Sequence, residues 1–237
     1  VEVCPHNASL KQENEICISR ELCQGCAACV PQCSSEARQL IGRARGVEEV
    51  LQEVVKYRLF YKNSGGGVTL SGGEPMSQTD FTSALLKMCK EKGIHTVLDT
   101  SGYVQMELLD RVLEYVDMIL FDLKHMDLYK HKEYTGVSNE LILANARKLA
   151  SRKIPMVIRI PLIPGYNDTD KNSESCARFA KELGINTIEL LPFHRLCVSK
   201  YTKLQKEWKL DELVSPSQER LEALQEIFTA QGLNCTF

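Results

Sequence analysis

The chain has 237 residues, 43% of them hydrophobic and 25% charged, with a formal net charge of −2. That is ordinary globular composition, at a length that suits one barrel-sized domain or a medium domain plus a small module. The charge balance offers no basic field for nucleic acid or an anionic membrane, and no apolar run approaches the roughly 20 residues of a membrane helix.

Residues 1–42 are rich in cysteine and poor in periodicity. From about Gly46 the pattern changes. Val47, Val50, Leu51, Val54, Val55 and Tyr57 fall at helical spacing and predict one helix from Val47 to about Leu59. Ser64-Gly65-Gly66-Gly67 reads as a turn, followed by a short strand Val68–Leu70. Further helices are expected near Thr79–Lys92, Val104–Tyr115, Leu128–Tyr134, Asn139–Arg152, Asp170–Leu183 and Pro216–Gln231. Strands are expected at His95–Leu98, Met118–Phe121, Met156–Ile160 and Thr187–Leu190, with a possible last one at Asn234–Phe237. Such alternation predicts a parallel sheet with right-handed crossovers, of five or six βα units rather than the eight of a full barrel. No signal peptide pattern is visible. The sequence opens at Val1 inside what reads as a motif, so a truncated chain is expected.

Five of the ten cysteines lie between Cys17 and Cys33. A secreted disulfide framework suits a small loop-rich domain better than the α/β sequence that follows, which favours a metal or iron–sulfur site. Cys23-x2-Cys26-x2-Cys29-x3-Cys33 has bacterial-ferredoxin spacing. Short turns there let three thiolates wrap three corners of one 4Fe–4S cube, and the next cysteine serves another cube. Val1–Pro5 resembles the tail of an earlier copy. Cys4 would then complete a cube with Cys23, Cys26 and Cys29, and Cys33 would belong to a second one. Ser34 stands where that motif usually has proline. A zinc site is the rival reading. Cys17 fits neither cube and reads as a spare thiol. Cys89, Cys176 and Cys235 read as core or surface residues.

Ser71-Gly72-Gly73-Glu74-Pro75 follows a strand. Two glycines allow close backbone approach to a ligand, and the glutamate can take an ammonium. Alone, this could be a plain turn. Taken with Tyr61–Leu70 before it, Asp99–Tyr103, Asp122-Leu123-Lys124-His125, His131 with Thr135-Gly136, Arg159–Gly165 and Leu190–His194, it resembles the radical S-adenosylmethionine (SAM) enzymes that activate glycyl-radical enzymes. The likeness runs from about Val47 to the C-terminus, and the cysteine-rich start is similar to the ferredoxin insert of many of these activases. Leu196-Cys197 departs from the family's usual Leu-Gly.

The resemblance implies a partial (β/α)6 radical SAM barrel over residues 43–237, with a ferredoxin-like 4Fe–4S module at 1–42. SAM would lie across the C-terminal mouth. Gly72, Gly73 and Glu74 would hold its methionyl amine, while Asp122, Leu123 and Lys124 would lie along its methionine portion and ribose. Arg159 would face its carboxylate and His194 its adenosyl part. Asp99, Thr100 and Asp122 could help a monovalent cation. Plainer readings stand beside these: Asp99 as a helix cap, Lys124 and Arg159 in surface ion pairs, His194 as structural. The family's catalytic cluster sits on a Cys-x3-Cys-x2-Cys loop. Here Cys29-x3-Cys33 begins that pattern, but its third place is Glu36. The first barrel strand and catalytic loop are therefore expected to be missing, and this chain to be an inactive fragment of a cytoplasmic enzyme of anaerobic metabolism. The implied partners are a glycyl-radical enzyme and a flavodoxin or ferredoxin as reductant, with no nucleic acid and no membrane. Rival functions are a radical SAM enzyme acting on a small molecule and an iron–sulfur electron-transfer module.

Overall fold

Val47 is the first residue of a helix, and there the chain divides into two units, Val1–Gly46 and Val47–Phe237. The computed structural model describes residues 2–13, 15–204 and 206–237. The division falls slightly later than the boundary expected after residue 42.

In the larger unit, helix α1 (Val47–Lys56) buries Leu51 and Val54, with acids in its first turn and Lys56 in its last, as the helix dipole favours. The single helix expected to run on to Leu59 is instead two. Tyr57 interrupts it, and α2 (Arg58–Ser64) follows, ending at Gly65 in the left-handed conformation (φ 68°). Then come β3 (Gly67–Leu70), a 3₁₀ turn at Pro75–Gln78, α3 (Thr79–Glu91) and β4 (His95–Thr100). The expected Val104–Tyr115 helix is also two pieces, α4 (Met106–Asp110) and a 3₁₀ turn at Leu113–Tyr115. Backbone bonds from Arg111 to Leu108 and from Val112 to Leu109 tighten it there. The rest is β5 (Met118–Asp122), α5 (Leu128–Thr135), α6 (Glu140–Ser151), β6 (Met156–Leu162), α7 (Asp170–Glu182), β7 (Thr187–Pro192), α8 (Val198–Lys203), α9 (Gln218–Thr229) and β8 (Asn234–Thr236). The sequence reading had no counterpart to α8.

β3 to β8 form one parallel sheet in sequential order. Sequential order is the winding of a barrel, not of a doubly wound sheet. Period-two alternation divides its faces. Leu98, Ile119, Phe121, Ile158, Ile160, Leu162, Ile188 and Leu190 are buried in the main core, together with helix residues such as Leu149, Cys176 and Phe228. The intervening positions, among them Asp99, Asp122, Arg159 and Glu189, are only partly buried and occupy the other face.

The smaller unit holds an antiparallel hairpin, β1 (Ser9–Gln12) with β2 (Glu15–Ile18), which the sequence reading left unassigned. Consecutive tight turns follow, with Val30 bonded to Ala27, Cys33 to Val30 and Glu36 to Cys33 through the backbone. Among its described residues only Ala8 and Ser9 are buried.

Candidate functional site

At the carboxyl ends of β3, β4 and β5 the chain forms an open hollow. Its lining brings together Gly72, Gly73, Glu74, Asp99, Thr100, Asp122 and Lys124 from the expected set, with Ser71 and Ser101 in addition. Gly72 has φ 122°, a backbone state other residues avoid, and a Cβ on Gly72 or Gly73 would meet only open space. The turn is thus a bare backbone wall.

Glu74 is fully engaged. Its Oε1 accepts from Met76 N at 3.2 Å and Thr100 Oγ1 at 2.7 Å, and its Oε2 from Ser101 N at 2.9 Å and Ser101 Oγ at 2.6 Å. A carboxylate has about four acceptor sites, and here four bonds from the chain's own groups occupy them. The side chain caps the 3₁₀ turn and ties the β3 and β4 loops together.

The remaining charges form a network. Asp99 Oδ2 accepts from Ser71 Oγ at 2.7 Å and from Arg159 Nη1 at 3.0 Å. Arg159 Nε lies 2.9 Å from Glu189 Oε2. Lys124 Nζ is 3.3 Å from Asp122 Oδ2. Burial raises the pKa of Asp122, the Lys124 ammonium opposing that shift and the Asp99 carboxylate adding to it. Lys124 and Arg159 both stand in ion pairs; Lys124 and Asp122 line the hollow, and Arg159 meets it through Asp99.

Three expected residues are not among those lining the hollow: Arg159, which meets it through Asp99, and Leu123 and His194. Leu123 is buried in the core, because strand alternation turns it to the face opposite Asp122 and Lys124. His194 is exposed just past β7 and is not among the residues lining the hollow. Its Nδ1 accepts from Leu196 N at 3.4 Å. Glu189 was missed by the sequence reading, although it stands five residues before His194 on a strand. Its signal was strand parity, which places it on the same face as Arg159.

In the smaller unit, Cys4, Cys23, Cys26 and Cys29 line one pocket together. Ala8 N donates to Cys4 Sγ at 3.3 Å, and this backbone donor, followed by that of His6, lowers the Cys4 pKa. Cys33 lies outside that pocket. The Ser35 hydroxyl lowers its pKa, with the Arg38 backbone contributing. Cys17 pairs with Leu10 across the hairpin and also lies outside the pocket. All ten cysteines are free thiols. Among the described residues no three Cys, His, Asp or Glu side chains converge on a single-ion site. Cys89, Cys176 and Cys235 are buried, and desolvation pushes the last two thiols up to about 12.

A sequentially wound parallel α/β sheet with a charged, glycine-walled hollow at its strand ends is the architecture of an enzyme that binds a small polar molecule at its carboxyl face. Residues 21–174 match the Radical SAM superfamily. The chain is 42% identical over 237 residues to the trans-4-hydroxy-L-proline dehydratase activating enzyme of Clostridioides difficile, covering 99% of this chain and 78% of that one. It is 41% identical to the (2S)-3-sulfopropanediol dehydratase activating enzyme of Klebsiella oxytoca, covering 99% and 76%. A crystal structure of a domain of pyruvate-formate lyase-activating enzyme from Bacteroides vulgatus superposes with TM-score 0.61 at 37% identity, over 72% of this chain and 98% of that one. The chain belongs to the radical SAM superfamily, among the activating enzymes of glycyl-radical enzymes. These are oxidoreductase-type enzymes that use 4Fe–4S clusters and SAM.

Proposed function

We propose that this protein serves the activation of a glycyl-radical enzyme, with SAM bound in the Ser71–Lys124 hollow. The observation that carries the site is the meeting of a bare Gly72-Gly73 wall with both signs of charge. SAM's methionyl end presents an ammonium and a carboxylate, and the hollow offers acids and a lysine within reach of both. When bound, SAM supplies a 5′-deoxyadenosyl radical on one-electron reduction, and that radical takes the Cα hydrogen of a partner glycine.

In this reading Gly72, Gly73 and Glu74 hold the methionyl amine, and Glu74 also braces their turn. Asp122 and Lys124 flank the methionine portion and ribose. Arg159 faces the carboxylate, and His194 meets the adenosyl part from the β7 loop. Asp99, Thr100 and Asp122 are the residues that would hold a monovalent cation. Cys4, Cys23, Cys26 and Cys29 fit one ferredoxin-type 4Fe–4S cube, because short turns gather four thiols around one pocket and Cys4 is poised toward thiolate. Cys33 is left for a second cube. The sequence holds no Cys-x3-Cys-x2-Cys segment, and no cysteine is among the residues lining the hollow. The family's SAM-cleaving cluster therefore finds no thiol set at this site within the 237 residues. The electron donor would be a small flavodoxin or ferredoxin, and the compartment the cytoplasm. No helix among the described residues is long and apolar enough to cross a membrane.

The test has two arms. SAM binding to the chain, by anaerobic equilibrium dialysis, should fall in Arg159→Ala and Asp122→Ala and persist in Lys92→Ala. The chain extended by a Cys-x3-Cys-x2-Cys segment and reconstituted with iron and sulfide should form 5′-deoxyadenosine under dithionite. It should also raise a glycyl radical signal in a candidate partner by electron paramagnetic resonance. Cleavage without a glycyl radical in any candidate would move the function to a small-molecule substrate. No SAM binding at all would overturn the site.

A further inference from the structure

The sheet's hold on β5 ends at Leu123, whose N–H donates to Arg159 O at 2.8 Å. Lys124 comes next. It lines the hollow, with its ammonium 3.3 Å from Asp122 Oδ2, but its backbone lies past the last paired residues of β5 and β6. Three buried asparagines from later in the chain take over there. Asn167, in the turn between β6 and α7, donates through Nδ2 to Lys124 O at 2.7 Å and to Pro161 O at 2.6 Å, and its Oδ1 accepts from Ile163 N at 2.7 Å. Asn172, in the first turn of α7, accepts from Met126 N at 3.0 Å and donates to Asn167 O at 2.9 Å. Asn139, at the start of α6, donates to His125 O at 3.0 Å and to Met126 O at 2.9 Å. Asn139, Asn167 and Asn172 are 2%, 4% and 5% exposed, so these bonds are shielded from water.

The surroundings of Asn167 fix its amide. Two N–H donors face two carbonyls and the oxygen faces an N–H, so a flipped amide would set oxygen against both carbonyls. One side chain thereby ties the Lys124 backbone to the end of β6. The tie matters because lysine is a flexible four-carbon stem, which aims its charge only as well as its backbone is placed. The partly exposed ion pair with Asp122 is too weak to place the loop by itself. We propose that Asn167 is a positioning residue of the hollow: by holding the Lys124 carbonyl to the end of β6, it sets where that stem starts and keeps the ammonium beside Asp122. The consequence for ligand binding rests on the reading of the hollow as the SAM site; the placement of Lys124 does not.

The test has a ligand-free arm and a ligand arm. The Lys124 side chain is 39% exposed, so acetic anhydride can reach it, and acetylation read lysine by lysine by mass spectrometry reports how firmly the ammonium is held. Asn167→Asp keeps the size and the oxygen for Ile163 N but loses the amide donors. It should speed Lys124 acetylation about two- to fivefold, the protection a partly exposed ion pair gives, and leave the exposed Lys92 unchanged. Asp122→Asn should do the same, and the two together should do no more. Asn167→Ser removes the donors without adding a charge, and it takes the place of Asn167→Asp if thermal melting shows that variant to be unfolded. In the ligand arm, anaerobic equilibrium dialysis should show SAM weakened about tenfold by Lys124→Ala, the scale of one charged hydrogen bond. Asn167→Asp should weaken it by no more, and should add nothing in the Lys124→Ala background. A purely structural asparagine would instead speed acetylation of every lysine and add its loss in both backgrounds. Unchanged Lys124 acetylation in a folded variant, or additive losses, would overturn the proposal. If the unaltered chain does not bind SAM, the reading of the site fails, while the acetylation rates still decide the role of Asn167.

Discussion

Asp122 shows how a partly buried charge at the hollow can cost stability. Burial favours its neutral form, and its raised pKa says that the folded state holds the charge less comfortably than the unfolded chain does. The sign follows from linkage. The unfolded carboxyl ionises first as pH rises, so the native state loses stability through the raised pKa and keeps that deficit at neutral pH. Asp122→Asn should therefore raise the melting temperature at pH 7, with the gain shrinking as pH is lowered into the carboxylate range. Thermal melts across pH would read this directly, and SAM binding by the same variant should weaken. Glu74 behaves in the opposite way, because its four accepted hydrogen bonds are all made with the chain's own groups. Truncating it strands the Thr100 and Ser101 donors, and Glu74→Ala should cost about 2–3 kcal/mol of stability. Denaturant titration would measure it. An unchanged midpoint would mean that the carboxylate is free to serve a ligand after all.

At the scale of elements, strand alternation explains most of what was legible beforehand. The parallel sheet, its strands and the motifs at strand ends could be read from period and punctuation. The hollow's acids and Lys124 were named by the likeness to the activases, and the fall of the Asp-Thr-Ser and Asp-Leu-Lys runs at strand ends agreed with it. Within the Asp-Leu-Lys run the Leu123 side chain goes to the core, because parity turns every second residue to that face. Less legible were the breaks at Tyr57 and Arg111, which depend on packing and local bonds, and the β1–β2 hairpin, whose strands are short and exposed. His194 is a different case: it sits exposed beyond the end of β7, where no periodicity governs a side chain's direction. Gly102 ties element to site. Its φ is 69°, and a Cβ would lie 2.5 Å from the Phe121 ring. Its N–H also donates to Thr100 Oγ1, which in turn donates to Glu74. Gly102→Ala combines left-handed strain with overpacking and should cost about 2–4 kcal/mol, seen as a lowered denaturation midpoint. Gly165→Ala, where a Cβ would meet nothing, should cost less, since only the φ of 78° opposes it.

At the scale of the molecule, the two units have different sources of stability. The Val47–Phe237 unit encloses an extensive apolar core running from Met76 to Cys235, with a second cluster around Leu51 and Cys89. The Val1–Gly46 unit buries only Ala8 and Ser9 among its described residues, and it contains no disulfide. A module of that size cannot offset its conformational entropy by apolar burial alone, and such small units usually depend on a metal or a cross-link. Ligands that must be thiolates also make the binding free energy part of the folding free energy. Anaerobic reconstitution should thus yield about four irons per chain through Cys4, Cys23, Cys26 and Cys29. Removing the metal with a chelator, or changing Cys26 to Ala, should abolish amide-exchange protection in the β1–β2 hairpin. The same treatment should leave protection in β4 to β7 unaltered, because none of the buried core of that sheet comes from the cysteine-rich unit. Cys17→Ala should change neither. Hydrogen exchange read by mass spectrometry resolves the two regions. Hairpin protection that survives without iron would show that the small unit folds on its own contacts. Stoichiometric zinc with no iron chromophore would reassign the four thiols to the single-ion site.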